Sequence, residues 1–463
     1  MQAPGEEQTP GVPRAAVWAA LLLVVVAYNV PVVVSSGYFT HDDYYLKLAA
    51  AQSTPHEVLV RPGFPFLRPI PGFLFWALER LAPGDNYLAY AAASLLLHAA
   101  NSVLVFYLGR LFLPGLALPA VAALLFAAAT RPYEAVVWPS ANNELLGALC
   151  YLGALLWFLR FSESTRWRHG AAALILLTLA LASKESCATL AAALTLCALA
   201  RPSGSEQSSG KWIVVAAGWG ITAAYLALRG ALVQPAHLDA VLRVHYRFGP
   251  HVALNVPMFI FRLARVNAVV AIAALVSVSL RRRPAGPRSE GARLLPGWLP
   301  VALFLASLLP FLPWADGFDN ASRYMYLPSA FFALSLAAGM QALAAWRPRW
   351  VVVAVALQLV GGWWYYQHKV AGFFNSGQAR RDRAVVRELN EAAARAAAAG
   401  RDSAVVPDAV LASAPTSEIR LSEVYVSLLP PRLRAMRISF EDGSAPPRLG
   451  GGAPISASVT GSP

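Results

Sequence analysis

Long apolar runs dominate the chain as far as about residue 366, and short polar segments separate them. A run of roughly 17 to 25 apolar residues forms a helix that is long enough to cross a hydrocarbon core of about 30 Å. The pattern therefore predicts about eleven transmembrane helices. Their predicted positions are 14–34, 87–109, 115–130, 142–160, 170–183, 186–200, 212–230, 257–280, 297–313, 327–346 and 350–366.

The pattern changes after residue 366. Residues 380–399 carry alanine and arginine at helical spacing, whereas residues 419–429 and 436–440 have the composition of strands. We expect a small external α/β segment or cap over residues 367–448. The Gly-, Ser- and Pro-rich end, 449–463, is expected to be disordered. The predicted fold class is thus an all-α multispanning membrane protein with a small C-terminal α/β segment.

Composition supports the membrane class. Of the 463 residues 57% are hydrophobic and 14% are charged, which excludes an ordinary soluble domain. The net charge of +13 comes mainly from arginines in short loops, where they contact lipid headgroups, so we expect membrane lipids as partners and no nucleic acid. The three cysteines lie inside apolar runs without metal-ligand spacing, which indicates core residues.

Basic residues predict the orientation, because cytoplasmic loops are enriched in arginine and lysine. Clusters of them lie at alternate ends of successive spans, which makes residues 1–13 a cytoplasmic tail and residues 14–366 the membrane domain. The first outer loop, 35–86, and the C-terminal segment then face outward. Alanine- and arginine-rich composition suggests a bacterium, hence an inner membrane with a periplasmic outer face. Span 1 is alternatively a cleaved signal peptide, although its length favours an anchor.

An acidic pair, Asp42 and Asp43, follows the first span on the outer side. Neighbouring carboxylates repel each other, which raises the pKa of one of them unless a cation balances the pair. Such a pair suits a general base or a metal ligand. The alternative is an ordinary solvated loop.

Cations gather on the same predicted side. Guanidinium groups at an interface suit a lipid-linked phosphate, because their planar fork holds phosphate oxygens bidentately. The alternative is that these side chains extend to lipid headgroups. The outer cations are Arg61, Arg68, Arg131, Lys184 and Arg323.

His98 and Asn101, one turn apart in span 2, suit an interhelical hydrogen bond more than a ligand.

Six motifs in this order resemble those of the GT-C superfamily of membrane glycosyltransferases, particularly the protein O-mannosyltransferase branch and its bacterial relatives. Glu144 stands where that family more often carries Asp. The resemblance covers roughly residues 14–366. The motifs are Asp42-Asp43-Tyr44, Leu67-Arg68-Pro69, His98-Ala99-Ala100-Asn101, Phe126 to Trp138 with Asn143-Glu144-Leu145-Leu146, Ser183-Lys184-Glu185-Ser186, and Arg323-Tyr324-Met325-Tyr326-Leu327-Pro328-Ser329.

The resemblance implies an enzyme that moves a sugar from a polyprenyl-phosphate donor to a protein, lipid or glycan acceptor at the outer face, with inversion. It assigns the base to Asp42, and to Asp43 acceptor positioning or the binding of an optional divalent metal. No other cofactor or metal site is expected. By the same resemblance, the phosphate contacts are Arg68, Lys184 and Arg323 with Arg61 and Arg131, and the sugar and acceptor contacts are Trp138, Tyr324, Glu134, Glu144 and His98.

Three other functions compete with this interpretation. A transporter or lipid flippase also carries polar residues in a many-helix bundle, but it predicts charges near the bilayer midplane. An oligosaccharide polymerase or ligase of similar architecture is a closer rival, and an inactive scaffold is a third. Most ionisable residues of this chain fall at one predicted edge of the membrane, which favours an interfacial enzyme.

Overall fold

A computed structural model describes residues 14–40, 42–60, 67–164, 166–201, 207–232, 247–279, 294–314, 322–401, 403–406 and 437–440. These residues are mostly helical. The helices are α1 (Arg14–Ser36), α2 (Asp42–Gln52), α3 (Pro55–Val60), α4 (Pro69–Leu81), α5 (Tyr87–Phe112), α6 (Ala117–Ala127), α7 (Tyr133–Val137), α8 (Asn142–Ser164), α9 (Trp167–Ser183), α10 (Leu190–Ala200), α11 (Gln207–Leu232), α12 (His251–Val266), α13 (Ala268–Ser279), α14 (Leu299–Leu308), α15 (Tyr326–Gly339), α16 (Gln341–Trp346), α17 (Pro348–Phe374) and α18 (Gly377–Ala398).

Short 3-10 turns link several of these helices at the points where the chain changes direction. Because a 3-10 helix is tighter than an α-helix and is used in short pieces, it suits such junctions. The turns are Pro139–Ala141, Glu185–Thr189, Leu309–Phe311 and Ser322–Met325. Lys184 directly precedes the second turn and Arg323 lies in the fourth, and the sequence singles out both cations.

The chain divides into two compact units. The first comprises Met1–Ser35, Pro62–Pro71 and Ala91–Val370, and the second comprises Ser36–Arg61, Gly72–Tyr90 and Ala371–Pro463. The first unit therefore holds most of the apolar helices. The second holds most of the predicted first outer loop together with the C-terminal segment.

Four helices of the described chain are long and apolar enough to cross a membrane, and the number rises to five if one bent pair counts as a single span. They support a multispanning membrane protein. Other predicted spans correspond to shorter apolar helices, such as Ala117–Ala127 and Leu299–Phe311, which fall below the length that a full crossing needs. The count of eleven spans thus stays a prediction.

Helix α8 forms the centre of the first unit. In its most apolar stretch, 72% of the residues of α8 are buried, compared with 44% for α5 and 28% for α11. Helix α8 therefore packs against other helices, whereas α5 and α11 retain exposed apolar faces. Small residues allow this close packing. A side-chain carbon on Gly153, for example, would lie 3.2 Å from Leu176 of the next helix.

The predicted span 257–280 is not a straight helix. The chain bends by 105° between His251–Val266 and Ala268–Ser279. Asn267 lies at the break, outside helical geometry, and its side-chain amide donates to the carbonyl of Leu263 at 2.8 Å. Asparagine competes for backbone hydrogen bonds in this way, which ends the first helix. The hydrophobic pattern predicted one span because the apolar residues on both sides of the break outnumber the polar Arg262, Arg265 and Asn267.

The second unit contains helices where a loop was predicted. Within residues 35–86, helix α2 and helix α3 each begin with side-chain caps, and helix α4 begins at Pro69, a residue suited to the first turn. The cap of α3 is reciprocal: the Thr54 amide donates to the Glu57 carboxylate at 2.9 Å, and the Glu57 amide donates to the Thr54 hydroxyl at 3.3 Å.

The C-terminal residues of the second unit include one helix and one small sheet. Helix α18 is followed by strand β1 (Ser403–Val406), which pairs in parallel with β2 (Arg437–Phe440), Ser403 lying opposite Arg437. The predicted strand 419–429 and the predicted tail 449–463 lie outside the described residues. The assignment of this segment as an external domain stays a prediction.

Candidate active site

The turn between α9 and α10 presents two opposite charges. Helix α9 ends at Ser183 because Lys184 adopts an extended conformation, with φ −155° and ψ 127°, and the 3-10 turn from Glu185 leads into α10. The Lys184 ammonium lies 2.8 Å from the Glu144 carboxylate at the start of α8, and both side chains are 6% exposed. Glu144 therefore acts as the counter-ion of a predicted phosphate ligand.

Glu185, the second residue of the turn, binds Arg68. The Arg68 guanidinium donates to the two oxygens of Glu185 at 2.8 and 2.5 Å, a bidentate pair. Burial alone would raise the pKa of Glu185, but Arg68 and Lys184 outweigh it and hold that pKa well below its usual value. Glu185 is thus a carboxylate at physiological pH.

Gly147 permits the turn to approach α8. A side-chain carbon at this position would lie 3.1 Å from Cβ of Lys184 and 3.0 Å from Sγ of Cys187. Gly147 is three residues after Glu144, hence on the same face of the helix. The absence of its side chain brings the Lys184 turn within reach of Glu144.

Arg323 lies between two aromatic rings. Its guanidinium carbon is 4.8 Å from the centre of the Trp138 ring and 4.9 Å from that of Tyr324. The carboxylate of Glu134 is 3.5 Å from the guanidinium and accepts from the Arg323 amide at 3.4 Å. Burial raises the pKa of Glu134 above its ordinary value, although Arg323 and Arg131 oppose that rise.

Tyr324 joins these pairs into one cluster. Its ring stacks on Phe311 with centroids 5.0 Å apart, contacts Trp314 at 5.2 Å, and lies 5.2 Å from the Lys184 ammonium. Arg68 interacts electrostatically with Tyr324 as well. We call the six charged side chains gathered around this ring the ion-pair cluster. Its members are Arg68, Glu134, Glu144, Lys184, Glu185 and Arg323.

His98 is placed in a buried hydrogen-bond network. Nε2 lies 3.0 Å from the carbonyl oxygen of Ala127, so this nitrogen carries the proton, and Nδ1 accepts from the Tyr326 hydroxyl at 2.8 Å. Asn101 donates to the same hydroxyl at 3.1 Å. The network matches the interhelical alternative weighed from the sequence. Contact of His98 with a sugar stays a prediction.

Arg131 and Arg61 were also predicted as phosphate ligands. Arg131 is buried, 8% exposed, and lines a small cavity with Thr130 and Asn267. It acts on the ion-pair cluster through the charge of Glu134. Arg61 lies outside the described residues.

The acidic pair begins α2 in the second unit. Asp42 is exposed, whereas Asp43 is fully buried and accepts a hydrogen bond from the Thr40 amide at 3.0 Å. That contact is one half of a capping box, a structural role that the sequence analysis missed. The catalytic assignments of both residues stay predictions.

Another buried ion pair of this unit was also missed. Lys47 pairs with Glu79, and its ammonium donates to the Tyr90 hydroxyl at 3.2 Å while facing the Phe39 ring at 4.6 Å. Every member is fully or almost fully buried. The signal available from sequence was a lysine beside the apolar residues of α2 and a glutamate near the end of the apolar helix α4.

The described residues contain no group of three or more His, Cys, Asp or Glu side chains that could hold a metal ion. A requirement for a divalent metal stays a prediction.

Comparison with known proteins supports the resemblance. A family model described as dolichyl-phosphate-mannose-protein mannosyltransferase matches residues 63–227, which contain five of the six cluster residues. The chain is 31% identical over 135 residues to protein O-mannosyl-transferase Tmtc1 of Drosophila melanogaster, covering 29% of this chain and 16% of that protein. The match is confined to a small part of that much longer relative. The GT-C superfamily resemblance that the motifs predicted is confirmed.

Solved structures of similar shape include an oligosaccharyltransferase of Archaeoglobus fulgidus. Its complex with zinc and sulfate has a TM-score of 0.48 and 13% identity, over 77% of this chain and 53% of that one. The same archaeal enzyme with an inhibitory peptide and a dolichol-phosphate has a TM-score of 0.44 and 13% identity, over 77% and 56% of the two chains.

Proposed function

We propose that the chain is a membrane glycosyltransferase that moves a sugar from a polyprenyl-phosphate donor to an acceptor hydroxyl. The observation that carries the proposal is the proximity of three cations. Lys184 and Arg323 lie 5.2 and 4.9 Å from the centre of the Tyr324 ring, and Arg68 binds Glu185, the residue next to Lys184. Sequence alone selected these cations as phosphate ligands. Part of the cluster also lies in the region that matches the mannosyltransferase family.

In the proposed reaction the acceptor oxygen attacks the anomeric carbon of the sugar. The bond between that carbon and the phosphate oxygen breaks, and its electron pair stays on the departing polyprenyl phosphate. Cations near this oxygen stabilise the charge that develops on it. A single displacement of this kind inverts the anomeric carbon.

The acceptor proton needs a base, because an un-ionised hydroxyl is a poor nucleophile. We assign this role to Asp42, whose side chain is exposed at the start of α2, on the resemblance to the family motif. Trp138 and Tyr324 are proposed to face the sugar, since both rings border the ion-pair cluster. The acceptor is a protein, lipid or glycan hydroxyl at the outer face of an inner membrane.

Reconstituted liposomes test the proposal. Protein is supplied with a polyprenyl-phosphate sugar labelled in both the sugar and the lipid, together with an envelope extract as the source of acceptor. We expect release of free polyprenyl phosphate that depends on the acceptor, and its loss in Asp42→Asn. Movement of the intact labelled lipid across the bilayer without release would favour a flippase, and wild-type transfer by Asp42→Asn would remove Asp42 as the base.

A further inference from the structure

We propose that Glu134 is an exchangeable counter-ion, which occupies the phosphate position of Arg323 until a lipid phosphate displaces it. The inference rests on the proposed function, because it concerns how the same cluster accepts its donor. The inference distinguishes Arg323, which changes its partner, from Arg68 and Lys184, whereas the sequence predicted all three only as phosphate ligands.

The charge of the cluster requires some exchange. Each cation is paired with a glutamate: Arg68 with Glu185, Lys184 with Glu144, and Arg323 with Glu134. Three positive and three negative charges sum to zero. A phosphate that enters this group of pairs loses hydration, and each of the three cations already holds a carboxylate, so close contact of the phosphate with one of them competes with a glutamate.

The geometry points to Arg323 as that cation. The Arg68 pair is bidentate at 2.8 and 2.5 Å, and the Lys184 pair is 2.8 Å long and almost fully buried. The Arg323 pair is 3.5 Å long, and the Arg323 side chain is 25% exposed, the highest value among the three cations. The longest and most accessible pair is the one that an incoming anion breaks most readily.

Arg323 does not depend on Glu134 to stay in place. The rings of Trp138 and Tyr324 both contact the guanidinium, at 4.8 and 4.9 Å. Aromatic rings attract a guanidinium group, and Nη2 of Arg323 also donates to the Tyr324 hydroxyl at 3.4 Å, so these contacts hold the side chain independently of Glu134. The side chain can therefore exchange one anion for another without losing its position.

Glu134 remains balanced after the exchange. Its carboxylate also accepts from the Arg323 backbone amide at 3.4 Å, and Arg131 acts on it as a second cation. Its own amide donates to the Ser322 hydroxyl at 3.4 Å, which fixes the turn. When the Arg323 guanidinium turns to a phosphate, the Glu134 carboxylate therefore keeps the Arg323 amide and Arg131 as partners. These partners lower the free-energy penalty of a buried charge.

The exchange favours the later stages of transfer. A sugar linked through a phosphodiester carries one negative charge on phosphorus, and the departing polyprenyl phosphate gains another when the bond to the sugar breaks. A cation freed from Glu134 consequently interacts more strongly with the departing phosphate than with the intact donor. Such differential binding accelerates the chemical step.

Binding of polyprenyl phosphate by the purified full chain in detergent micelles tests the inference, with polyprenol of the same length as the uncharged control. Glu134→Gln removes the competing charge, so we expect its Kd for polyprenyl phosphate to fall by about three- to tenfold, as for one charge-assisted contact. Polyprenol binding should not change. Arg323→Gln should weaken phosphate binding.

Glu163→Gln is a matched control for Glu134→Gln, because it removes the same charge from another glutamate that pairs with an arginine. Glu163, near the other end of α8, pairs with Arg201 at 2.6 Å and lies outside the ion-pair cluster, so Glu163→Gln should leave the Kd unchanged. In an Arg323→Gln background, Glu134→Gln should have no further effect, because the two residues act as one pair.

Unchanged or weaker binding by a folded Glu134→Gln protein would overturn the inference, since Glu134 would then hold Arg323 in place. Equal tightening by Glu163→Gln would overturn it too, as a general effect of charge. If Glu134→Gln does not fold, tightening by Glu134→Ala supports the exchange, and no tightening opposes it. Tighter binding by these variants without any sugar transfer by wild type would support the exchange while refuting the proposed enzyme.

Discussion

Lys184 and Glu144 illustrate, at the residue scale, that a buried ion pair can fix the positions of two side chains without adding to the stability of the fold. Both side chains are almost fully buried, so removing one leaves an uncompensated charge. Glu144 replaces the Asp that the family more often carries, and its carboxylate contacts the Lys184 ammonium. The sequence departure therefore coincides with a definite contact in the structure.

Lys184→Met should destabilise the protein by roughly 3 to 5 kcal/mol, because Glu144 loses its counter-ion in a buried site. Adding Glu144→Leu should recover most of that stability without restoring sugar transfer. Thermal unfolding in detergent and the transfer assay measure the two effects separately. The exposed pair variant Glu163→Gln should cost no more than about 1 kcal/mol. Sugar transfer by the double variant would show that Lys184 has only a structural task.

Asp43 has a structural contact and a predicted chemical role, and two substitutions separate them. Asp43→Asn keeps an oxygen that accepts from the Thr40 amide, so its stability should resemble wild type. Asp43→Ala loses the cap and should cost about 1 kcal/mol. If Asp43 also positions the acceptor, Asp43→Asn reduces transfer at unchanged stability. Full transfer by Asp43→Asn would leave only the cap.

At the element scale, the site depends on how closely the turn after α9 approaches α8. Gly147→Ala would place a carbon 3.0 Å from Cys187 Sγ and 3.1 Å from Lys184 Cβ, so the turn must shift by a few tenths of an ångström. We expect reduced sugar transfer with the fold retained. The matched control is Gly220→Ala in α11, where a side-chain carbon meets nothing within 4 Å. Wild-type transfer by Gly147→Ala would show that the close approach is unnecessary.

Helices and cations could be predicted from the sequence more readily than their pairing. Arg68, Lys184 and Arg323 stood out because charged residues flank apolar runs. Glu134 and Glu144 were singled out too, as sugar or acceptor contacts, but the pairing of glutamates with these cations was not predicted. Arg68 and Glu185 are 117 positions apart, and Arg323 and Glu134 are 189 apart. Such contacts depend on packing that a hydrophobic pattern cannot specify. The bend at Asn267 was missed for a similar reason, because a few polar residues in a long apolar run do not specify where the helix ends.

At the scale of the whole molecule, the proposed chemistry requires the predicted orientation in the membrane. His56 is exposed in the predicted outer loop, and Glu163 is exposed at a predicted cytoplasmic end. A membrane-impermeant maleimide should label His56→Cys in intact cells and Glu163→Cys only after lysis. The three native cysteines are buried and should give little background. The reverse labelling pattern would contradict the orientation.

The central claim is that the cations of the ion-pair cluster stabilise a departing lipid phosphate. Its most direct measurement is the amount of polyprenyl phosphate released per sugar transferred, in single-turnover reactions of wild type, Arg68→Gln and Arg323→Gln. We predict one phosphate per sugar in wild type, and rates lower by about tenfold or more in each variant, as for the loss of one charge-assisted contact to the transition state. Sugar transfer by both variants at the wild-type rate would contradict the account.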